Sequence, residues 1–177
     1  MNTHHLVEAT LAFVKAHEAW APFVVAMLAF AESLAFVSLL VPATVILLAL
    51  GALIATAGLA FWPLWAAAAL GAILGDWLSF WLGQKFGPGI GQLWPLNRHP
   101  TLIPRGQAFC AKWGIAGVFF GRFLGPLRAA VPLVAGICAM PLLRFQAANI
   151  ASGLIWAGGV LAPGAFGTDW ITKALAG

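Results

Sequence analysis

The chain has 177 residues, of which 62% are hydrophobic and only 8% charged, with mean hydropathy +0.96, whereas an ordinary soluble domain carries about 25% charged residues. Nine basic and five acidic side chains cannot cover a globule of this size, which excludes a soluble fold, and the same apolar excess excludes disorder. The composition predicts a single all-α integral membrane domain over residues 1–177. Cys110 and Cys138 lack the spacing of a disulfide framework or zinc site, and the four histidines avoid apolar sequence, so neither metal nor cofactor is expected.

Residues 1–18 mix Leu6, Leu11, Phe13 and Val14 with Glu8, Lys15, His17 and Glu18, the pattern of an interfacial helix. Glu8 precedes any long apolar run, so no signal peptide is read there, and the first internal spans are expected to act as the targeting signal. The stretch Ser33 to Gly75 is 43 residues without a formal charge, and at about 1.5 Å per residue it is roughly twice what a ~30 Å hydrocarbon core requires. Residues 21–58 therefore turn back or cross twice, with breaks at Pro42 and near Gly58. A spanning helix is predicted over 61–84.

Residues 85–112 carry Lys85, Arg98, Arg105 and Lys112 with no acid, which places them as a cytoplasmic loop facing anionic lipid headgroups; nucleic acid is not an expected partner. The apolar segment 113–140 holds Arg122 and Arg128 and is interrupted by Gly121, Gly125-Pro126, Pro132 and Gly136, a poor straight helix. A cleaner span over 142–162 carries Asn149 and Trp156, and Pro163-Gly164 divides it from a C-terminal segment, 163–177. Trp62, Trp65 and Trp113 lie near predicted ends, while Trp77 and Trp81 read as packing.

Glu32 precedes Pro42 by the interval that separates Arg122 from Pro132, so a charge and a proline break recur with an offset of 90. Paired broken segments in two halves of a chain point to an inverted-repeat transporter with its site between the breaks. Four ionisable residues lie deep in apolar sequence: Glu32, Asp76, Arg122 and Arg128. A charge at the bilayer centre costs about 2.5–3.5 kcal/mol on insertion scales, so such residues face protein or a watery cavity. Two readings stay open. The four form buried ion pairs that hold broken helices together, or the arginines converge across Gly125-Pro126 on an anion such as a phosphate, for which a guanidinium is well shaped. Gly71 and Gly75, four apart before Asp76, predict close approach by another helix. No histidine stands in apolar sequence to serve a nucleophile, and Ser152-Gly153 is not a nucleophile elbow, so no enzymatic activity is expected.

Phe30-Ala31-Glu32-Ser33 and Leu70 to Asp76 through Gly83-Gln84-Lys85-Phe86-Gly87, then Phe120-Gly121-Arg122-Phe123-Leu124-Gly125-Pro126-Leu127-Arg128, Val131-Pro132, Ala135-Gly136 and Met140, resemble the DedA family of membrane proteins, also called VTT or SNARE-associated Golgi domain proteins. Phe145, Asn149, Gly153 and Trp156 continue the likeness, which covers about residues 25 to 167. The resemblance implies a helical bundle with two re-entrant hairpins in an inverted repeat, here 21–58 and 113–140, in a multi-pass protein of the bacterial inner membrane. It implies transport of lipids such as undecaprenyl phosphate or phospholipids, dependent on the proton motive force. The family's functional acid falls on Glu32 and its two functional arginines on Arg122 and Arg128. The chain departs from the family at Thr44, where a second acid is usual, at Phe80, often tyrosine, and in the order Gly125-Pro126.

The expectation is a DedA-type flippase for a phosphate-bearing lipid. Arg122 and Arg128 bind the phosphate, Glu32 competes for them when ionised, Asp76 is its proton-linked or structural partner, and Asn149 is a supporting residue. A proton-coupled transporter of small solutes or ions and a non-transporting membrane interaction protein are the alternatives. Protons are the expected coupling partner, and a second copy of the chain is left open as another.

Overall fold

The computed structural model describes residues 18–34, 47, 51, 54, 58–87, 89, 101–124, 128 and 130–175. Their ordered elements are helical: a short 3-10 turn, Glu18–Trp20, then α1 (Ala21–Ser33), α2 (Phe61–Phe86), α3 (Leu102–Gly121), α4 (Ala130–Ile137) and α5 (Leu142–Leu175). The interfacial segment before Glu18 and the break at Pro42 lie outside the described residues, as do Thr44, Gly125 and Pro126.

Two helical stretches, Phe61–Phe86 and Leu142–Gly167, are 26 residues long and apolar enough to cross a membrane. They run antiparallel. Phe61 meets Phe166, the Trp65 indole N–H donates to the Leu154 carbonyl at 3.1 Å, Ile73 lies against Gly153, and Phe80 stacks on Phe145 with centroids 4.1 Å apart. One core gathers Val25, Ala29, Leu47 and Ile54 against the first half of α2 and the Trp156 to Ala165 part of α5. The other gathers Cys110, Val118, Val131, Val134 and Ala135 against Phe80, Phe145 and Ala148, at the opposite ends of the same two helices. The polar residues fall between the two cores.

Small residues make this packing. Lipid tails are as apolar as leucine, so helices in a bilayer associate through close van der Waals contact and hydrogen bonds. Gly71, Gly75, Ser79 and Gly83 form a buried i+4 stripe along α2. A Cβ on Gly71 would stand 2.1 Å from the Ala26 carbonyl oxygen and one on Gly75 2.6 Å from that of Phe30, so α1 lies directly on the backbone of α2. Farther along, a Cβ on Gly83 would meet the Leu133 oxygen at 2.1 Å, and one on Gly136 the Phe80 oxygen at 2.1 Å. The close approach expected of Gly71 and Gly75 seats α1, and the same stripe continues to seat α4.

Four local expectations are corrected. Pro132 stands in the first turn of α4 rather than at a break, because the first four helical N–H groups have no intrahelical partner and proline gives up nothing there. Pro163 does not end α5; the helix runs through it to Leu175, and Gly159, whose carbonyl loses a donor, has open space around it. Trp77 and Trp81 are exposed on α2, where the Lys85 ammonium lies 4.8 Å over the Trp81 ring. The helix α3 starts at Leu102, inside the segment read as loop, and kinks at Gly114, whose φ is 50°.

The turn after α4 is a Schellman motif, with Met140 N–H donating to the Ala135 carbonyl and Ala139 N–H to that of Gly136. Its left-handed position, φ 52°, is held by Ala139, where an L side chain costs about 1–2 kcal/mol. Ala139→Gly is expected to stabilise the protein by about 1 kcal/mol. Gly83→Ala and Gly136→Ala are expected to destabilise it by about 1–3 kcal/mol each. Reversible unfolding in mixed micelles measures all three, and equal signs would refute the packing argument.

Candidate functional site

The site forms where the ends of two short helical arms meet the middle of α2. Gly75, lacking a side chain, lets the C-terminal end of α1 settle on α2, which brings Glu32 and Ser33 beside Asp76. From the other half of the chain, Arg122 follows the last residue of α3, where the helix dipole favours a cation. Arg128 precedes α4.

The four charges form two ion pairs, Asp76 with Arg122 and Glu32 with Arg128. All four side chains are largely removed from solvent, from 4% exposed for Glu32 to 14% for Arg128. Every pair joins one half of the sequence to the other. The Asp76 carboxylate also feels the charge of Arg128, while the Ser79 hydroxyl donates to the Ser33 carbonyl at 3.4 Å.

The two arginines are held differently. Arg122 Nη2 donates to Asp76 Oδ2 and to Asn149 Oδ1, each at 2.5 Å, and Nε donates to Ser152 Oγ at 3.0 Å. Asn149 is itself fixed, its Nδ2 donating to the Ile73 carbonyl at 3.0 Å and to Gln146 Oε1 at 3.1 Å, and Ser152 Oγ donates to the Asn149 carbonyl at 3.3 Å. Arg122 is thus enclosed by partners that are themselves positioned, which fixes its rotamer. Arg128 meets Glu32 Oε1 through Nη2, and no acceptor among the described residues is aligned for a hydrogen bond with that buried nitrogen. The guanidinium carbon lies 5.1 Å from the centroid of the Trp156 ring.

The residues singled out from sequence, Glu32, Asp76, Arg122, Arg128 and Asn149, therefore meet in one place. Ser33, Ser79, Ser152 and Trp156 join them and were not read as site residues. A signal for part of this set exists: Asn149, Ser152 and Trp156 recur at helical spacing on α5 and face the arginines. No cluster of metal-ligating side chains occurs among the described residues.

The family model described as the VTT domain matches residues 41–166. The inner membrane protein YabI of Escherichia coli (strain K12) is 36% identical over 144 residues, 81% of this chain and 57% of YabI. An uncharacterised membrane protein of Buchnera aphidicola subsp. Acyrthosiphon pisum is 33% identical over 133 residues, covering 75% of this chain and 52% of its own length. A third, from Mycobacterium tuberculosis (strain ATCC 25618 / H37Rv), is 36% identical over 100 residues, 54% of this chain and 46% of that protein. The chain spans about half the length of these curated relatives. No solved structure matches it.

Removing one member of a buried ion pair strands the other, at a cost of about 3–5 kcal/mol, whereas removing both costs far less. Arg122→Gln and Asp76→Asn are each expected to destabilise the protein by that amount, and the double variant by less than either. Asn149→Ala is expected to cost about 1–3 kcal/mol, because the buried Arg122 guanidinium loses one of its acceptors. A double-mutant cycle by unfolding in micelles reads the coupling; additive effects would mean that the pair contributes nothing.

Proposed function

The chain belongs to the VTT-domain, or DedA, family of membrane proteins, and on that premise we propose that it is a multi-pass bacterial inner-membrane transporter that moves a phosphate-bearing lipid, such as undecaprenyl phosphate or a phospholipid, between leaflets. The observation that carries this reading is the inequality of the two arginines. Arg122 is locked by Asp76, Asn149 and Ser152, whereas among the described residues Arg128 pairs with the Glu32 carboxylate through an Nη2 that is not aligned for a hydrogen bond. A phosphate offers more acceptor oxygens than a carboxylate and matches the guanidinium fork. Arg128 then makes the exchangeable contact, and Arg122 contributes positive potential from a fixed place.

Helix lengths support two re-entrant arms in an inverted repeat. At about 1.5 Å per residue, α1 with 13 residues reaches about 20 Å and α4 with 8 residues about 12 Å, both short of a ~30 Å core. Each arm packs with one end of the antiparallel α2 and α5, and the charges lie between. A headgroup entering from either side would meet the same cluster while its apolar tail stays in lipid. The work assigned to the site is binding and translocation, with no bond made or broken.

Coupling to protons follows from competition. Ionised Glu32 occupies Arg128; protonated Glu32 releases it to an anion. The other charges at this junction are Asp76 and Arg122, which hold each other. Phosphate-lipid affinity is therefore higher with Glu32 protonated than with it ionised, and one charge crossing 100 mV supplies about 2.3 kcal/mol for the return step.

In proteoliposomes containing a fluorescent phosphate lipid, Glu32→Gln is expected to bind the lipid independently of pH and to lose gradient-driven flipping. Arg128→Lys inserts normally but loses flipping, because lysine keeps the charge without the planar fork. Gradient-driven flipping by Glu32→Gln would make the acid structural, and inhibition by inorganic phosphate at the affinity of the lipid would favour a small solute.

The re-entrant reading has its own test. Single cysteines replacing the exposed Trp20 and Ala60, in a background lacking Cys110 and Cys138, are expected to label from the same side of the membrane. Labelling from opposite sides would place an odd number of crossings between them.

A further inference from the structure

Trp156 is buried on α5, 6% exposed, with its ring under the Arg128 guanidinium at 5.1 Å. Its neighbours at helical spacing, Asn149 and Ser152, hold Arg122 through hydrogen bonds. One face of α5 thus addresses both arginines, Arg122 through polar atoms and Arg128 through a π-face. This difference has a chemical consequence. A guanidinium donates its N–H groups in its plane and presents its flat face to an aromatic ring, so the two modes do not compete.

Glu32 and a phosphate oxygen both draw on the in-plane N–H groups of Arg128 and repel each other as anions, so ionised Glu32 opposes binding of the phosphate. A ring that meets the flat face of the cation leaves those donors free. Released by Glu32 and not yet engaged by an anion, a cation at this depth has a strong drive to snorkel toward the interface, where its charge is hydrated. A ring beneath it opposes that escape without consuming a donor.

We propose that Trp156 is a positioning residue that retains Arg128 at the site during exchange between Glu32 and an anionic headgroup, holding the guanidinium by its face so that its edge stays free. The inference rests on the reading of Arg128 as the anion-binding group. Trp156 touches neither the headgroup nor the proton; it acts through Arg128.

The test measures binding of dodecyl phosphate to the full chain in detergent, with tryptophan at position 156 replaced through a suppressed codon by mono-, di- and tetrafluorinated tryptophans. Fluorination drains the negative face of the ring with little change of shape, so a tryptophan serving only as packing leaves affinity unchanged. Affinity is expected to fall stepwise with fluorination, by about thirtyfold for the tetrafluorinated ring. Trp156→Phe is expected to lie between wild type and Trp156→Leu, with thermal stability recorded for each to identify variants that fail to fold.

Arg128→Gln separates the two levels of the argument. If it binds dodecyl phosphate as wild type does, the anion-site reading itself fails. If it loses binding while the fluorinated series stays flat, the anion site stands and the role of Trp156 is overturned.

Discussion

Everything in this structure answers one requirement: two acids and two arginines must be held deep in a chain built for lipid. An unpaired charge there costs several kcal/mol, and a pair recovers that cost only with good geometry and satisfied donors. Asp76 and Arg122 meet the requirement in full, through Asn149, Ser152 and the Ile73 carbonyl. Glu32 and Arg128 are joined by an ionic contact, and Arg128 also lies over an aromatic face. The first pair behaves as structure. The second pair shows no such enclosing set of hydrogen bonds around its arginine among the described residues.

Bringing four charges together without water to drive association demands helices that touch along their backbones. The stripe Gly71, Gly75, Ser79 and Gly83 does this for α2, and Gly136 returns the contact from α4. Close packing fixes distances to a fraction of an ångström, which the hydrogen bonds of Arg122 require. A larger residue in the stripe would displace an arm and, with it, the charge the arm carries. Packing and electrostatics are in this sense one constraint, because each small residue sits within a turn or two of a residue it positions.

Much of this was legible in the chain. A charge surrounded by apolar residues announces its own cost, so Glu32, Asp76, Arg122 and Arg128 stood out, as did the glycine spacing before Asp76. Helix ends were harder. Proline reads as a breaker, yet Pro132 lies in a first turn and Pro163 inside α5, because what proline disrupts depends on whether its N–H was needed there. Trp77 and Trp81 were misread for a different reason: in lipid an exposed tryptophan carries no penalty, so size and aromaticity do not separate packing from surface. Which acid pairs with which arginine was not legible at all, since pairing is set by how the arms cross α2. Trp156 escaped because the cation its ring faces stands 28 positions away in the chain.

The distribution of charge between the halves carries a last consequence. Glu32 and Arg122 stand at matching places, 90 residues apart, at the ends of α1 and α3. Two identical halves would set like charges against each other at the junction. Here both acids belong to the first half and both arginines to the second, so each ion pair crosses between halves. Opposite charge at equivalent positions turns the junction from repulsive to attractive, and it makes neither half sufficient alone: the first would bury two carboxylates without cations, the second two guanidiniums without anions. Each half thus supplies the counter-charge that the other lacks, and the four charges are balanced only where the halves meet.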